Sequence, residues 1–187
     1  MKRHMVAVGL ALIALGGCKG GETGNDAAPT KAAAKAAGDE TIAKGLEGAA
    51  TDSKFVAAVK AAGLSPTLAG PGPYTVLVPD DNAFAKLPAG TLDGLMATTG
   101  KAGLAKLLSF HILPGTMMAS DITKAIEKHG GKALLITMQG GTLTATQSDG
   151  KIILTDSSGA RAVVTGADQK RSNGIVHHLD TVLSPKA

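Results

Sequence analysis

The sequence predicts an α+β fold, in which short helices and one early strand precede a group of strands. Three observations predict it: a β-branched apolar run at 74–78, several short helical patterns between residues 41 and 130, and strand-like segments from Lys132 onward. Helices grouped early and strands grouped late are typical of α+β domains. The run at 74–78 stands apart from the other strands, so it must pair with a segment distant in sequence.

The first 18 residues are typical of an export signal. Lys2 and Arg3 precede an apolar run that ends at Leu15, too short for a membrane span of about 20 residues. Small residues then lead to Cys18, the single cysteine of the chain, in a pattern that resembles a bacterial lipobox. We expect a signal peptide at 1–17 and lipidation of Cys18; the alternative is an ordinary signal peptide with an incidental cysteine.

Residues 18–38 are predicted to be a flexible tether, because after Cys18 they contain no large apolar side chain that could offset chain entropy. The folded domain is then 39–187. Removal of Lys2 and Arg3 leaves 17 of the 19 basic residues against 15 acidic ones, a net charge of +2. This balance gives no reason to expect a nucleic-acid partner.

The helical patterns begin at 41–63, where Thr51 or Asp52 is a candidate cap and Gly63 ends the pattern. The strand at 74–78 ends at Pro79, and Asp80 or Asp81 is expected to cap a short helix that stops before Pro88. Three further helical patterns follow. Thr91 is the candidate cap of the first, and Leu104, Leu107 and Leu108 form the apolar stripe of the second. Ser120 or Asp121 is the candidate cap of the third.

The strand patterns begin with an extended segment at 110–113, which Pro114-Gly115 ends. Strands are then expected at 134–138, 142–147, 152–154, 161–165 and 175–183, with hairpin turns at Asp149-Gly150 and at 157–159.

Three segments together carry a family resemblance. Residues 75–84 (TVLVPDDNAF) resemble the first conserved box of fasciclin (FAS1) domains, residues 173–185 (NGIVHHLDTVLSP) resemble the second, and 107–115 (LLSFHILPG) resemble the Tyr-His segment between them. The resemblance covers about 39–185 and implies a twisted β-sandwich or wedge flanked by a cluster of short helices. It also implies a surface-tethered adhesion or interaction module without enzymatic activity.

Two positions depart from the family pattern. Phe110 replaces the Tyr of the Tyr-His pair, and Asp168-Gln169 stands where animal adhesion members carry the Asp-Ile pair used in receptor binding. These departures direct the search for function to the surfaces around Phe110 and Asp168. The resemblance marks Thr75, Asp81, Phe110, His111, Asp168, Asn173, Gly174 and His177 as candidate structural or interaction residues.

His111 lies between an apolar helix and an apolar strand, so we expect it to be buried and to bond Asp81 or Thr75. His177 and His178 are adjacent on a strand and point to opposite faces, which disfavours a shared metal ion. His177 is expected to be structural and His178 exposed. Met117-Met118 lacks a Met-x-x-Met array, so we expect packing rather than copper binding, and no metal or cofactor is predicted.

Three function hypotheses remain open. The preferred one is a lipid-anchored FAS1 module of the cell envelope that binds an envelope or matrix protein or a polysaccharide. The second is a lipoprotein that holds a small or lipidic ligand between the helices and the sheet. The third is a Ser hydrolase built from Ser109, His111 and Asp81, which lacks a G-x-S-x-G nucleophile turn. An Asp directly after the lipidated cysteine would resemble an inner-membrane retention signal. Lys19 occupies that position here, so we expect the protein to be anchored in the outer membrane.

Overall fold

A computed structural model of the chain describes residue 38 and residues 40–185. The predicted signal peptide, Cys18 and nearly all of the tether therefore lie outside the described residues. Within the described part, no helix is both long and apolar enough to cross a membrane. Both hydrophobic cores and every strand named below come from residues 40–185, so this stretch forms a folding unit of its own.

The helices and strands follow the predicted order. The helices are α1 (Ile42–Glu47), α2 (Ser53–Ala62), α3 (Ser65–Ala69), α4 (Asp81–Ala85), α5 (Thr91–Met96), α6 (Lys101–Phe110) and α7 (Ala119–Lys128), with a 3-10 turn at Thr98–Gly100. The strands are β1 (Tyr74–Pro79), β2 (Ile112–Pro114), β3 (Ala133–Ile136), β4 (Thr142–Ser148), β5 (Lys151–Thr155), β6 (Arg161–Arg171) and β7 (Gly174–Leu179).

The seven strands form one mixed sheet in the order β2-β1-β7-β6-β5-β4-β3. β1 pairs in parallel with β7, from Tyr74 opposite Gly174 to Pro79 opposite Leu179, and antiparallel with the short β2. β6 shows register shifts near Gly166 and pairs with β5 at its start and with β7 at its end. The sheet bends there, and Met138 N–H donates to the Ile112 carbonyl at 2.7 Å, which nearly closes it into a barrel.

Two hydrophobic cores lie on opposite faces of β1 because successive side chains of a strand alternate. Val76 and Val78 join the helix-side core with residues of α1–α6, including Phe55 and Leu104. Leu77 joins the sheet-side core, which includes Leu113, Ile122, Leu143, Leu154 and Leu179. The predicted burial of β1 on both faces is confirmed.

Several predicted boundaries need correction. The helical pattern 41–63 is interrupted at 48–52, and β6 continues to Arg171 rather than ending at 165. Phe110 ends α6 instead of starting a strand, β3 covers 133–136 rather than 134–138, and β7 ends at Leu179. The extended length of β6 has a physical reason: its bulges let one strand serve both halves of the sheet.

The predicted helix caps are partly confirmed. Asp80 caps α4, with its carboxylate accepting from Ala83 N–H at 2.6 Å, and Gly63 ends α2 in the left-handed conformation. The cap prediction at Thr91 is wrong, because Gly90 with φ 80° precedes the helix and Thr91 is its first residue. At α7 the cap position is Met118, whose N–H donates to the Asp121 carboxylate at 3.1 Å.

Gly174 allows β1 and β7 to pair at close range. A Cβ at this position would collide with the Tyr74 carbonyl oxygen and lie 2.8 Å from its carbonyl carbon. We therefore expect Gly174→Ala to reduce the free energy of unfolding by at least about 2 kcal/mol, measured by urea denaturation. Gly94→Ala is the matched control, since no atom lies within 4 Å of its added Cβ, and should be neutral or slightly stabilising. Equal effects of the two substitutions would contradict this reading of the register.

Candidate functional site

The loop at 115–119 is held by three residues singled out from the sequence. Thr75 is fully buried; its hydroxyl donates to the Gly115 carbonyl and accepts from Met117 N–H, both at 2.8 Å. His177 is also fully buried and its Nε2 lies 2.9 Å from the Met117 carbonyl oxygen. Because its Nδ1 accepts from Asp168 N–H at 3.2 Å, Nε2 must carry the proton and donate it to Met117.

Asp168 connects this loop to the bend in β6. Its backbone adopts φ 59°, which Asp tolerates better than most residues, at the second register shift of β6. Its carboxylate accepts from Ala119 N–H at 2.8 Å, which satisfies a free amide in the first turn of α7. Thr75, His177 and Asp168 therefore fix the 115–119 loop and the start of α7.

His111 is fully buried, as predicted, but its predicted partners are wrong. Its Nε2 accepts from Leu183 N–H at 3.1 Å, and its Nδ1 donates to the Leu107 carbonyl at 2.9 Å. The side chain thus joins the end of α6 to the C-terminal segment rather than to Asp81 or Thr75. Only the backbone of His111 reaches β1, where its carbonyl accepts from Leu77 N–H at 2.8 Å.

Burial lowers the pKa of His111 from 6.5 to about 4, against the opposing effects of the Leu107 hydrogen bond and the Asp156 charge. The imidazole therefore stays neutral in the folded chain at neutral and mildly acidic pH. A neutral ring suits its contacts, because Nε2 must remain unprotonated to accept from Leu183.

Asn173 joins three elements through one side-chain amide. Its Oδ1 accepts from Ile42 N–H at the start of α1 at 2.8 Å. Its Nδ2 donates to the carbonyls of Leu68 at 2.8 Å and Gly70 at 2.7 Å, at the end of α3. With Gly174 beside it, Asn173 positions the helices relative to the β1–β7 pair.

Asp81 caps a helix from outside that helix. Its carboxylate accepts from Ser53 Oγ at 2.6 Å and from Lys54 N–H at 2.8 Å, in the first turn of α2. Both nitrogens of His111 are occupied by Leu107 and Leu183. Asp81 and His111 of the hydrolase hypothesis are thus bonded to groups other than each other and Ser109, so they do not assemble a catalytic triad with Ser109.

The prediction that His178 is exposed is wrong. Its side chain is only 13% exposed, and its Nε2 lies 3.0 Å from the Asp52 carboxylate, which is 1% exposed. Asp52 also accepts from the Thr51 hydroxyl at 3.0 Å. Because the Asp81 carboxylate caps α2, the Asp52 carboxylate at the start of α2 is available to bond His178 of β7. No local sequence pattern could have predicted this pair, since its two residues are 126 positions apart.

Phe110 does not contribute to a surface. It is 1% exposed in the sheet-side core, where its ring packs edge-on to His111 at a centroid distance of 6.5 Å. A Tyr hydroxyl at this position would need a buried partner, which Phe does not. Five of the predicted residues, Thr75, Phe110, His111, Asn173 and His177, are thus buried, and the expectation of a functional surface around Phe110 is wrong.

An exposed aliphatic surface lies elsewhere, on the edge strand β3 and the turn that follows it. Leu134 is 71% exposed, Ile136 66% and Met138 46%, and these are the exposed large hydrophobic residues of the described chain. They occupy alternate positions. Leu135 and Thr137 between them are buried, and so is Ala133, which precedes Leu134. We name this surface the β3 face. The run of apolar residues at both odd and even positions of 134–138 was a signal for it, because a half-buried strand needs only one apolar side.

The sheet continues the β3 face with polar and basic side chains. Leu134 is opposite Thr144, which is opposite Thr155, which is opposite Arg161. The outward positions of these strands carry Thr142, Thr144, Thr146, Ser148, Lys151, Ile153, Thr155, Arg161 and Val163. They include two cations and no carboxylate.

The second surface feature is a cleft of about 360 Å³ where α5 and α6 meet the C-terminal segment. Its walls are mostly apolar, and Lys106 stands among its lining residues. The described lining comprises Leu87, Thr91, Leu95, Gly103, Lys106, Leu107, Gln139, Val182, Ser184 and Pro185. The volume falls in the range of small-molecule sites, about 300–1,000 Å³.

The next feature is the arrangement of potential metal ligands in the described part of the chain. No group of three or more His, Cys, Asp and Glu side chains in that part of the chain lies close enough together to hold a metal ion. His177 and His178 point to opposite faces of β7, as predicted, with His177 at the 115–119 loop and His178 at α2.

Comparison with known proteins identifies the family. The model of the Fasciclin domain matches residues 51–185. Protein sll1483 of Synechocystis is 37% identical over 145 residues, covering 78% of this chain and 73% of the relative. Transforming growth factor-beta-induced protein ig-h3 of Sus scrofa is 33% identical over 129 residues, covering 69% of this chain but 17% of that protein.

The solved structure of a FAS1 domain pair from the insect cell adhesion molecule Fasciclin I has the same fold. Its TM-score is 0.68 at 19% identity, and the match covers 77% of this chain and 50% of that one. The protein class defined by sheet, helices and framework is thus a FAS1 domain. The chain belongs to the Fasciclin domain family, which confirms the predicted family and fold.

The buried, neutral His111 makes stability depend on pH. Between pH 6.5 and about 4 the unfolded chain binds a proton at this position and the folded chain does not, so stability falls as pH falls. We expect this residue to remove roughly 3 kcal/mol of unfolding free energy across that window. In urea denaturation from pH 7.5 to 4.5, His111→Gln should lose this part of the pH dependence, whereas His129→Gln, at an exposed position, should retain it. An unchanged pH dependence in His111→Gln would contradict the assignment.

Proposed function

We propose that this protein is a lipid-anchored interaction module of the bacterial cell envelope, which binds a partner protein through the β3 face. The observation that carries the proposal is the row of Leu134 and Ile136 on β3 and Met138 in the turn after it, exposed by 46% to 71%. Soluble domains rarely expose contiguous aliphatic side chains without a binding role. Membership of the Fasciclin family and the likeness to Fasciclin I, a cell adhesion molecule, support a binding role over catalysis.

The position of the tether supports an outward-facing β3 face. The described chain enters the domain beside the end of β6, where Ser172 N–H donates to the Glu40 carbonyl at 2.9 Å. The β3 face lies across the sheet from the start of β6, at Arg161. An eleven-residue strand spans up to roughly 33 Å. An anchor before residue 40 would thus hold one end of the domain, with the β3 face at the other.

The chemistry of the face favours a protein partner over a polysaccharide. Sugars are commonly bound by stacking on aromatic rings, and the outward positions of β3 to β6 carry none. On the same face of the sheet, Lys151 lies two strands and Arg161 three strands from the aliphatic row, so the face fits an apolar patch on a partner with carboxylates at some distance from it. This arrangement is a small version of the apolar centre and charged rim of protein interfaces.

The anchor is tested at the proposed lipidation site. In cells that express the full chain, Cys18→Ser should move the protein from the membrane fraction to the soluble fraction, because the acyl chains that hold it would be missing. Lys19→Gln should leave it anchored in the outer membrane, whereas Lys19→Asp should shift it toward the inner membrane on a density gradient. Membrane association of Cys18→Ser equal to that of the unmodified sequence would exclude lipid anchoring at this residue.

The β3 face is tested by removing its aliphatic groups together. Leu134→Thr with Ile136→Thr should lower the yield of partner crosslinks in intact envelopes at least tenfold, because Thr suits a strand but presents less apolar surface. Both side chains are exposed, so the unfolding free energy should change by no more than about 1 kcal/mol. Ala89→Thr, at an exposed position outside the sheet, is the control. An undiminished yield from the double variant would refute the assignment of this face.

The charges at the margin give a second readout. Arg161→Gln should weaken partner binding and reduce its dependence on salt concentration, because exposed charges act mainly on association. Lys44→Gln removes an exposed charge from α1 and should leave both properties unchanged.

A further inference from the structure

The cleft between α5, α6 and the C-terminal segment has features of a ligand site that the interaction function does not use. Its walls include Leu87, Leu95 and Leu107, which are only half-buried. By contrast, Leu104 and Leu108 of α6 are almost fully buried. Half-buried leucines around a cleft of about 360 Å³ leave apolar surface that an apolar part of a ligand can contact.

One wall of the cleft is held rigidly in place. Val182 and Ser184 line it, and the backbone between them is fixed by two buried side chains. Leu183 N–H donates to His111 at 3.1 Å and Ser184 N–H donates to Asp156 at 2.8 Å. A wall that is fixed before binding costs little ordering entropy when a ligand enters.

Among its lining residues the cleft also has a cation, Lys106. Lys106 lines the cleft from α6, and its ammonium makes no ion pair or hydrogen bond within residues 40–185. No Asp or Glu is among the described lining residues. An anionic head group therefore meets an attractive charge and no repulsive one at this position.

From the cleft volume, its aliphatic walls and its single cation, we propose that it binds an anionic amphiphile with one short aliphatic chain, such as a medium-chain carboxylate. The chain lies against Leu87, Leu95 and Leu107, and the carboxylate pairs with Lys106. The ligand enters between α5 and α6; Gln139, next to Met138, is a lining residue of the cleft, but Leu134 and Ile136 are not.

Decanoate and decanol, which differ in charge at pH 8, test the proposal by isothermal titration calorimetry with a chain of residues 39–187, which contains the folding unit 40–185. Decanoate should bind, and Lys106→Gln should weaken its binding at least tenfold while leaving decanol unaffected. Gly103→Leu should abolish binding of both, because a side chain there projects toward Leu95, whose Cδ2 lies 3.4 Å from the added Cβ. Lys101→Gln, on the same helix outside the cleft, is the charge control.

Three outcomes would overturn the proposal. They are no binding of decanoate, binding that survives Gly103→Leu, and equal losses from Lys106→Gln and Lys101→Gln. A circular dichroism spectrum of each variant shows whether it is folded; if Gly103→Leu is not, Leu107→Gln replaces it as the variant with a less apolar wall. Leu134→Thr with Ile136→Thr should leave decanoate binding unchanged, which separates this proposal from that for the β3 face.

Discussion

The parallel pairing of β1 with β7 is the constraint on which the rest of the structure depends. The two strands are about 100 residues apart in sequence, yet Tyr74 lies opposite Gly174 and Pro79 opposite Leu179. Parallel neighbours require a crossover connection, and here the connection contains most of the domain. The pair also separates the two cores, since Val76 and Val78 face the helices and Leu77 faces the other half of the sheet.

Buried polar groups around this pair set the register of its neighbours. Thr75 and His177 hold the 115–119 loop, Asn173 holds α1 and α3, and His178 holds Asp52 at the start of α2. Each group is satisfied by hydrogen bonds, and a slip of register would leave several of them buried without partners. The polar residues of the two motifs therefore specify the fold, and this explains why they do not form an exposed site.

Much of the fold could be predicted because its signals are local. The β-branched run of β1, the Asp80 cap, Gly63 and the Asp149-Gly150 turn each depend on a few adjacent residues. The family resemblance supplied the architecture that these signals leave open. Bonds between distant residues were not predictable from either source, as the true partners of His111 and the Asp52–His178 pair show.

The candidate site was less predictable than the fold, for a related reason. The motifs drew attention to Phe110 and Asp168, but one is buried and the other bonds the start of α7. The exposure of Leu134 and Ile136 depends on which face of β3 is covered, and hence on α7 packing against the opposite face, where Ala133 and Leu135 lie. When both the odd and the even positions of a strand carry apolar residues, the sequence does not reveal which of the two sets is exposed to solvent.

In the proposed arrangement, the β3 face meets a protein partner while the domain is tethered at its other end. Site-specific photocrosslinking in living cells tests it most directly, with a photoreactive residue placed at Ile136 or, for comparison, at the exposed Asp93 of α5. A discrete protein adduct is expected from position 136 and none from position 93. Lipid adducts from position 136, or the same adducts from both positions, would contradict it.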